Sequence, residues 1–162
     1  MNNTGLFLIL IIGMLSFASC GGKNENSPYI NNSLNTGTRV YDNEIECNGS
    51  ASKISVKASY NSDVVVIVKK DGRMAKNAYI EKGETYDFYV PNGYYQVFFY
   101  YGTGWNPEKE MSNDMKGGFV ADEQFSKDDP VELNYQGLTY ELVVQRNGNF
   151  QTKGSSEKEM FN

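Results

Sequence analysis

The chain has 162 residues, a formal net charge of −5, two cysteines and no histidine, with 40% apolar and 14% aromatic side chains. That apolar share can fill the core of one domain, while the acidic balance excludes a nucleic-acid partner, whose phosphates need clustered Lys and Arg. The lack of histidine removes Ser-His-Asp and Cys-His catalysis and most ordinary zinc sites.

The first element is an apolar run from Leu6 to Phe17. At 1.5 Å per residue it reaches about 18 Å, well short of a hydrocarbon core of roughly 30 Å. Such a run suits the apolar region of a signal peptide, here residues 1–19, better than a membrane span. The stretch Phe17-Ala18-Ser19-Cys20 resembles a bacterial lipobox, in which cleavage before the cysteine precedes lipidation of its sulfur and new amino group. The alternative is an ordinary cleaved signal in which Cys20 is incidental. The resemblance implies a body held at the bacterial cell envelope, at the outer membrane, by two or more acyl chains, and spanning nothing. Cys47 is then the one remaining thiol; no intrachain disulfide is available, and a buried, inert side chain is expected.

Residues 20–50 are rich in Asn, Ser, Thr and Gly without a sustained period, and read as a polar linker. As a flexible coil this segment would span about 30 Å and let the body rotate freely. Residues 38–47 are a candidate first short strand. The Asn-rich pattern after the cysteine resembles surface lipoproteins of the Bacteroidota.

Residues 51–162 read as a β-sandwich domain. Ile54, Val56, Ala58 and Tyr60 alternate with Ser55, Lys57 and Ser59, the signature of a half-buried strand. Asp63–Lys69 is continuously apolar in its middle and suits a central position. Asp71-Gly72 is a hairpin turn signal leading into Met74–Ile80. Gly83 marks the next turn, before Thr85–Val90 and, past Pro91-Asn92-Gly93, a strand from Tyr94 to Tyr101. Residues 102–118 read as a long loop carrying Trp105. Further strands are expected at 118–125, 131–135 and 138–145, with a turn at Asn147-Gly148 and a last strand after it. Ser156 and Glu159 form a capping box that opens one helical turn able to dock Met160 and Phe161. Short strands at this spacing, without long helical patterns, predict a single antiparallel all-β sandwich.

The strand after Asn92-Gly93 is aromatic on both faces. A hairpin there would pair Val90 with Tyr95, Phe88 with Val97 and Tyr86 with Phe99, placing all six and Tyr101 on an inner face. The opposite face would hold Tyr94, Phe98 and Tyr100 beside Asp87, Tyr89 and Gln96. Aromatic rings beside carboxylate and amide groups are the ingredients of a carbohydrate platform. The candidate ligand-binding residues are therefore Asp87, Tyr89, Gln96, Phe98, Tyr100 and Trp105. A second reading has Phe98 and Tyr100 covered by the N-terminal segment or the C-terminal turn, and Trp105 capping one end of the sandwich. Glu108, Glu110, Asp114, Asp128 and Asp129 lack the spacing of a calcium loop and read as solvated charges. No metal, cofactor or catalytic residue is expected.

The stretches Asp71–Trp105 and Leu138–Phe161 resemble a C-terminal β-module found in many uncharacterised bacterial secreted proteins. The segment around Pro91-Asn92-Gly93 is more loosely similar to transthyretin-like and carboxypeptidase-regulatory-like sandwiches. These resemblances imply a sandwich with an accessory role and bring no catalytic residue. The expected function is a non-catalytic binding module for a glycan or envelope protein; the alternative is a structural subunit of an envelope assembly.

Overall fold

Strands of matching alternation assemble into two sheets in the computed structural model, which describes residues 27–142 and 153–162. The elements are β1 Ser52–Lys57, β2 Asp63–Lys70, β3 Arg73–Ile80, β4 Thr85–Val90, β5 Gly93–Glu110, β6 Lys116–Lys127, β7 Val131–Leu133, β8 Gly137–Glu141, β9 Lys153–Gly154 and the helical turn α1 Glu157–Phe161. Cys20, the apolar leader and the turn expected at Asn147-Gly148 lie outside the described residues. Among the described residues, no helix is long and apolar enough to cross a membrane.

One sheet has three strands in the order β4-β1-β8; the other runs β3-β2-β5-β6-β9, with β7 also paired to β5. All pairs are antiparallel except β1 with β8. The β2–β3 hairpin turns at Asp71 (φ 50°) and Gly72 (φ 78°), the two left-handed residues that such a tight turn demands. Ile54 and Val56 of β1 face the central core as their alternation predicts, whereas Tyr60 turns out to water.

The expected β4–β5 hairpin does not form. β4 pairs with β1, matching Phe88 to Ile54 and Val90 to Ser52. β5 pairs with β2 instead, matching Val97 to Val68 and Phe99 to Val66. Pro91-Asn92-Gly93 therefore carries the chain from one sheet to the other. The reason lies in β2, whose Val64–Val68 stretch is apolar on both faces and completely buried. A strand buried on both sides belongs beside another of the same kind, and β5 is its match. The inner face survives this change. Phe88 and Val90 still meet Tyr95, Val97 and Phe99, now across the sandwich rather than along one sheet.

Two further expectations change. The segment 102–118 is no loop: β5 and β6 continue as a long hairpin that pairs Trp105 with Phe119 and turns at Ser112–Asp114. Pro107 is accommodated where the β5–β6 register shifts between Asn106 and Glu110. Residues 27–50, expected as linker, are packed on the body. Gly37 N–H donates to the Tyr79 carbonyl, Tyr79 N–H to that of Thr38, and Ile45 N–H to that of Met74, at 2.8–2.9 Å. This strap lines the outer edge of β3 and satisfies backbone groups that would otherwise be open to another chain. It is not assigned as a strand.

Candidate functional site

Each sheet has an outer face, and the expected site residues are divided between the two. On the six-stranded sheet the outward positions of β2, β3, β5 and β6 are apolar and form a second core with Val65, Ile67, Tyr79, Phe98, Tyr100 and Phe119. The strap contributes Tyr41, with Leu34 and Val40 beside it, and α1 contributes Met160 and Phe161. Tyr41 meets Phe161 edge-on at 5.0 Å, so strap and helix close on each other. Ser156 caps α1 by accepting from Glu159 N–H at 3.3 Å. The Lys69 ammonium donates to the carbonyls of Glu159 and Asn162 at 3.0 and 2.7 Å, and lies 4.7 Å from the Phe98 ring centroid. Burial lowers its pKa below the ordinary lysine value.

Asn77 clamps the strap to the sheet. Its Oδ1 accepts from Val40 N–H and Tyr41 N–H, and its Nδ2 donates to the Tyr41 carbonyl, at 2.8–2.9 Å. At the far end, Trp105 N–H donates to the Asn32 carbonyl at 2.9 Å. Gly104 (φ 69°) admits the strap there: a Cβ would stand 2.6 Å from Ile30 Cα and the Tyr29 carbonyl. Trp105 packs edge-on against Tyr79 and Phe119 at 5.5 and 5.2 Å. Tyr100 accepts from Phe119 N–H and donates to the Glu123 carboxylate, which also holds Lys109. Burial first, and then the nearby carboxylates, push the phenols of Tyr41, Tyr79 and Tyr100 far above their ordinary range.

Phe98, Tyr100 and Trp105 are thus inside the protein, 2%, 0% and 3% exposed, and offer no ring to a ligand on this surface. The second reading of these residues is the one the structure follows. Gln96 is half-buried and donates to the Asp128 carbonyl at 2.9 Å. Asp87 and Tyr89 lie on the outer face of the other sheet. The six expected residues do not form one site.

The outer face of the three-stranded sheet is open. Its register sets three rows across the strands: Tyr89–Lys53–Gly137, Asp87–Ser55–Thr139 and Thr85–Lys57–Glu141. Lys53 pairs with Asp87 at 3.1 Å and Lys57 with Glu141 at 2.8 Å. Ser55, and then Lys53, hold the Asp87 carboxyl below the usual carboxylate range, and Lys57 does the same for Glu141. Gly137 adds no side chain to its row, and a Cβ there would meet nothing within 4 Å.

At one end of this sheet, where the chain crosses from β7 to β8, the β7–β8 turn is knotted to Pro91-Asn92-Gly93. Asn92 Oδ1 accepts from Tyr135 N–H at 2.8 Å and Ser52 Oγ at 3.0 Å, and its Nδ2 donates to Asn134 Oδ1 at 3.0 Å. Tyr135 sits at φ 52° and is 80% exposed. Among the described residues the exposed large hydrophobics are all tyrosines: Tyr60, Tyr89, Tyr94 and Tyr135. Tyr135 is bonded to Asn92, and Tyr89 and Tyr94 lie within three positions of Asn92 in the chain, so all three stand at that end of the sandwich. Sequence reasoning missed Tyr135 and Asn92; an aromatic within the turn-forming run Asn134-Tyr135-Gln136-Gly137 was the available signal.

Among the described residues no group of three or more Cys, Asp or Glu is placed to hold a metal ion. A cavity of about 230 Å³ opens between the strap, the β2–β3 turn and α1, lined by Ile45, Lys69, Arg73, Met74 and Phe161. No family model, curated protein or solved structure matches this chain.

Proposed function

We propose that this chain is a lipid-anchored, non-catalytic binding module of the bacterial cell envelope, attached at the outer membrane through Cys20 and recognising a glycan or protein ligand. The observation that carries the reading is where packing begins. The apolar leader is followed by Cys20, and the strap already lies against the body at Tyr29 and Ile30, beside Gly104. Nine residues of chain reach at most about 32 Å even when fully extended, so an anchor at Cys20 holds the body close to the bilayer. The strap meets β5 at Gly104 and Trp105, whereas Asn92 precedes the other end of that strand. From Gly93 to Gly104 β5 rises about 35 Å, so the anchored end and the tyrosine-bearing end are opposite ends of the molecule. A module attached at one end and carrying Tyr89, Tyr94 and Tyr135 at the other would present those three rings away from the membrane.

Detergent-phase partition with Triton X-114 tests the anchor. The native chain is expected in the detergent phase and the Cys20→Ala chain in the aqueous phase; a native chain found wholly in the aqueous phase overturns the reading. A structural subunit is the second reading, favoured by β4, an edge strand whose strand partner among the described residues is β1 alone. Crosslinking in cells would then recover a stoichiometric protein partner.

A further inference from the structure

We infer that the open face of the three-stranded sheet, with the Asn92-knotted turn at its end, binds a neutral oligosaccharide between Tyr89 and Tyr135. This rests on the binding-module reading and names its ligand class. The first support is the contrast in exposure. Among the described residues only Tyr60, Tyr89, Tyr94 and Tyr135 are exposed as large aromatics, and of these Tyr89 and Tyr135, 55% and 80% exposed, stand at the Asn92 end of the open sheet. Such rings offer a flat apolar surface with a polar edge, which suits the C–H face of a sugar.

The second support is backbone conformation. Tyr135 holds a left-handed φ of 52°, a region that bulky side chains rarely occupy. Its N–H is fixed by Asn92, whose amide is also bound by Ser52 and bonded to Asn134. Three polar side chains therefore hold a strained residue whose ring packs on little of the protein. Strain kept in place by its surroundings concentrates at ligand-binding positions.

The third support is the floor between the rings. Tyr89, Lys53 and Gly137 lie in one row, so β8 is two strand spacings, about 10 Å, from Tyr89. Gly137 puts no side chain into that interval, and the space around it is open. Asp87, Thr139 and the exposed Gln136 border it and can serve sugar hydroxyls in both directions. Lys53 and Lys57 are each paired with a carboxylate, so this face carries no unpaired cation among the described residues to attract an acidic polymer. Tyr89 is the one aromatic residue in its three rows, and the face lacks the apolar centre that a protein partner would need.

Affinity electrophoresis of the intact chain in non-ionic detergent tests this, with β-glucan, xylan or mannan in the gel and alginate as the acidic arm. At least one neutral polysaccharide is expected to retard the chain, and alginate is not. Tyr89→Thr and Tyr135→Asn are each expected to weaken the retardation about tenfold, the loss of one stacked ring. Tyr60→Ala and Tyr94→Ala are expected to leave it unchanged. Asn tolerates a left-handed backbone, so Tyr135→Asn should at the same time raise the thermal midpoint by about 2–4 °C. Binding lost while stability rises separates a ligand contact from a damaged fold. Retardation by alginate alone, retardation in no gel, or retardation that survives both changes overturns the inference. Partition of the same samples into detergent reports on the anchor independently, so failure of the sugar site is distinguishable from failure of the lipid-anchored reading.

Discussion

The two outer faces obey the same alternation and end in opposite environments. On the six-stranded sheet, Val65, Ile67, Phe98, Tyr100 and Phe119 point away from the central core and are buried a second time beneath the strap and α1. On the three-stranded sheet, the corresponding positions are Lys53, Ser55, Lys57, Asp87 and Tyr89, and none of them is fully buried. A strand that is aromatic on both faces therefore announces a covering layer contributed by residues outside the sheet. A strand with charge and hydroxyl on one face announces water, and a single exposed ring on such a face has no packing to explain it. The comparison turns on cover: whether each face loses stability when its cover is disturbed.

The largest effect is expected in alkali. Tyr41, Tyr79 and Tyr100 all belong to the covered face, and burial raises each phenol above its ordinary value of 10.0. A group whose folded pKa is raised contributes stability that is fully present below pH 10 and is lost as the pH climbs toward the folded value. Above pH 10 the unfolded chain releases protons that the folded chain keeps, so stability falls with pH. At pH 11 this costs at most about 1.4 kcal/mol per tyrosine, or about 4 kcal/mol for the three, a large part of a typical domain's total. Near-UV circular dichroism should collapse in one cooperative step between pH 10 and about 11.5, and the buried tyrosines' share of the rise in absorbance at 295 nm should appear in that same step. Ionisation of the full tyrosine complement with an unchanged dichroism spectrum would show that the second core is open to solvent.

Next in size is Trp105→Ala. The indole is buried among Tyr79, Phe119 and the ring edge at Gly117, where an added Cβ would stand 2.6 Å from Trp105 Cζ2. Removing a large buried aromatic costs about 3–5 kcal/mol. Urea denaturation is the check, and a change below about 1 kcal/mol would contradict the assignment of Trp105 to the core.

What the sequence disclosed follows from the range of the interactions involved. Alternation in β1, the Asp71-Gly72 turn, the inner face of β5 and the Ser156 cap depend on neighbours within a few residues, and each was legible. The exchange of a hairpin for a crossing at Pro91-Asn92-Gly93 was not, because both topologies bring Phe88 and Val97 to the same core. The strap was hidden for another reason. Its attachments are largely backbone N–H and carbonyl groups at Asn32, Gly37, Thr38 and Ile45, and such groups leave no period in the side-chain sequence. Tyr41 alone is buried there as a large side chain, and one ring makes no pattern. The candidate site was half visible: Tyr89 and Asp87 were named from the alternation of β4, but they were joined to the wrong neighbours. Tyr135 depends on a left-handed backbone fixed by Asn92, 43 positions away in the chain, a contact that no local reading supplies.

The smallest expected effect is the sharpest test of the comparison. Tyr89 is paired across β1 with Lys53 and is 55% exposed, so little of its ring is removed from water on folding. Tyr89→Thr keeps a residue favoured in strands and leaves the Lys53–Asp87 ion pair in place. The change in unfolding free energy should stay within about 0.5 kcal/mol, against several for Trp105→Ala. A loss above about 2 kcal/mol would mean that Tyr89 packs as a core residue does, and that the outer face of the small sheet is covered after all. If the loss is negligible, nothing in the stability of the fold accounts for a large aromatic side chain at that position, and its role must lie in what it touches beyond the protein.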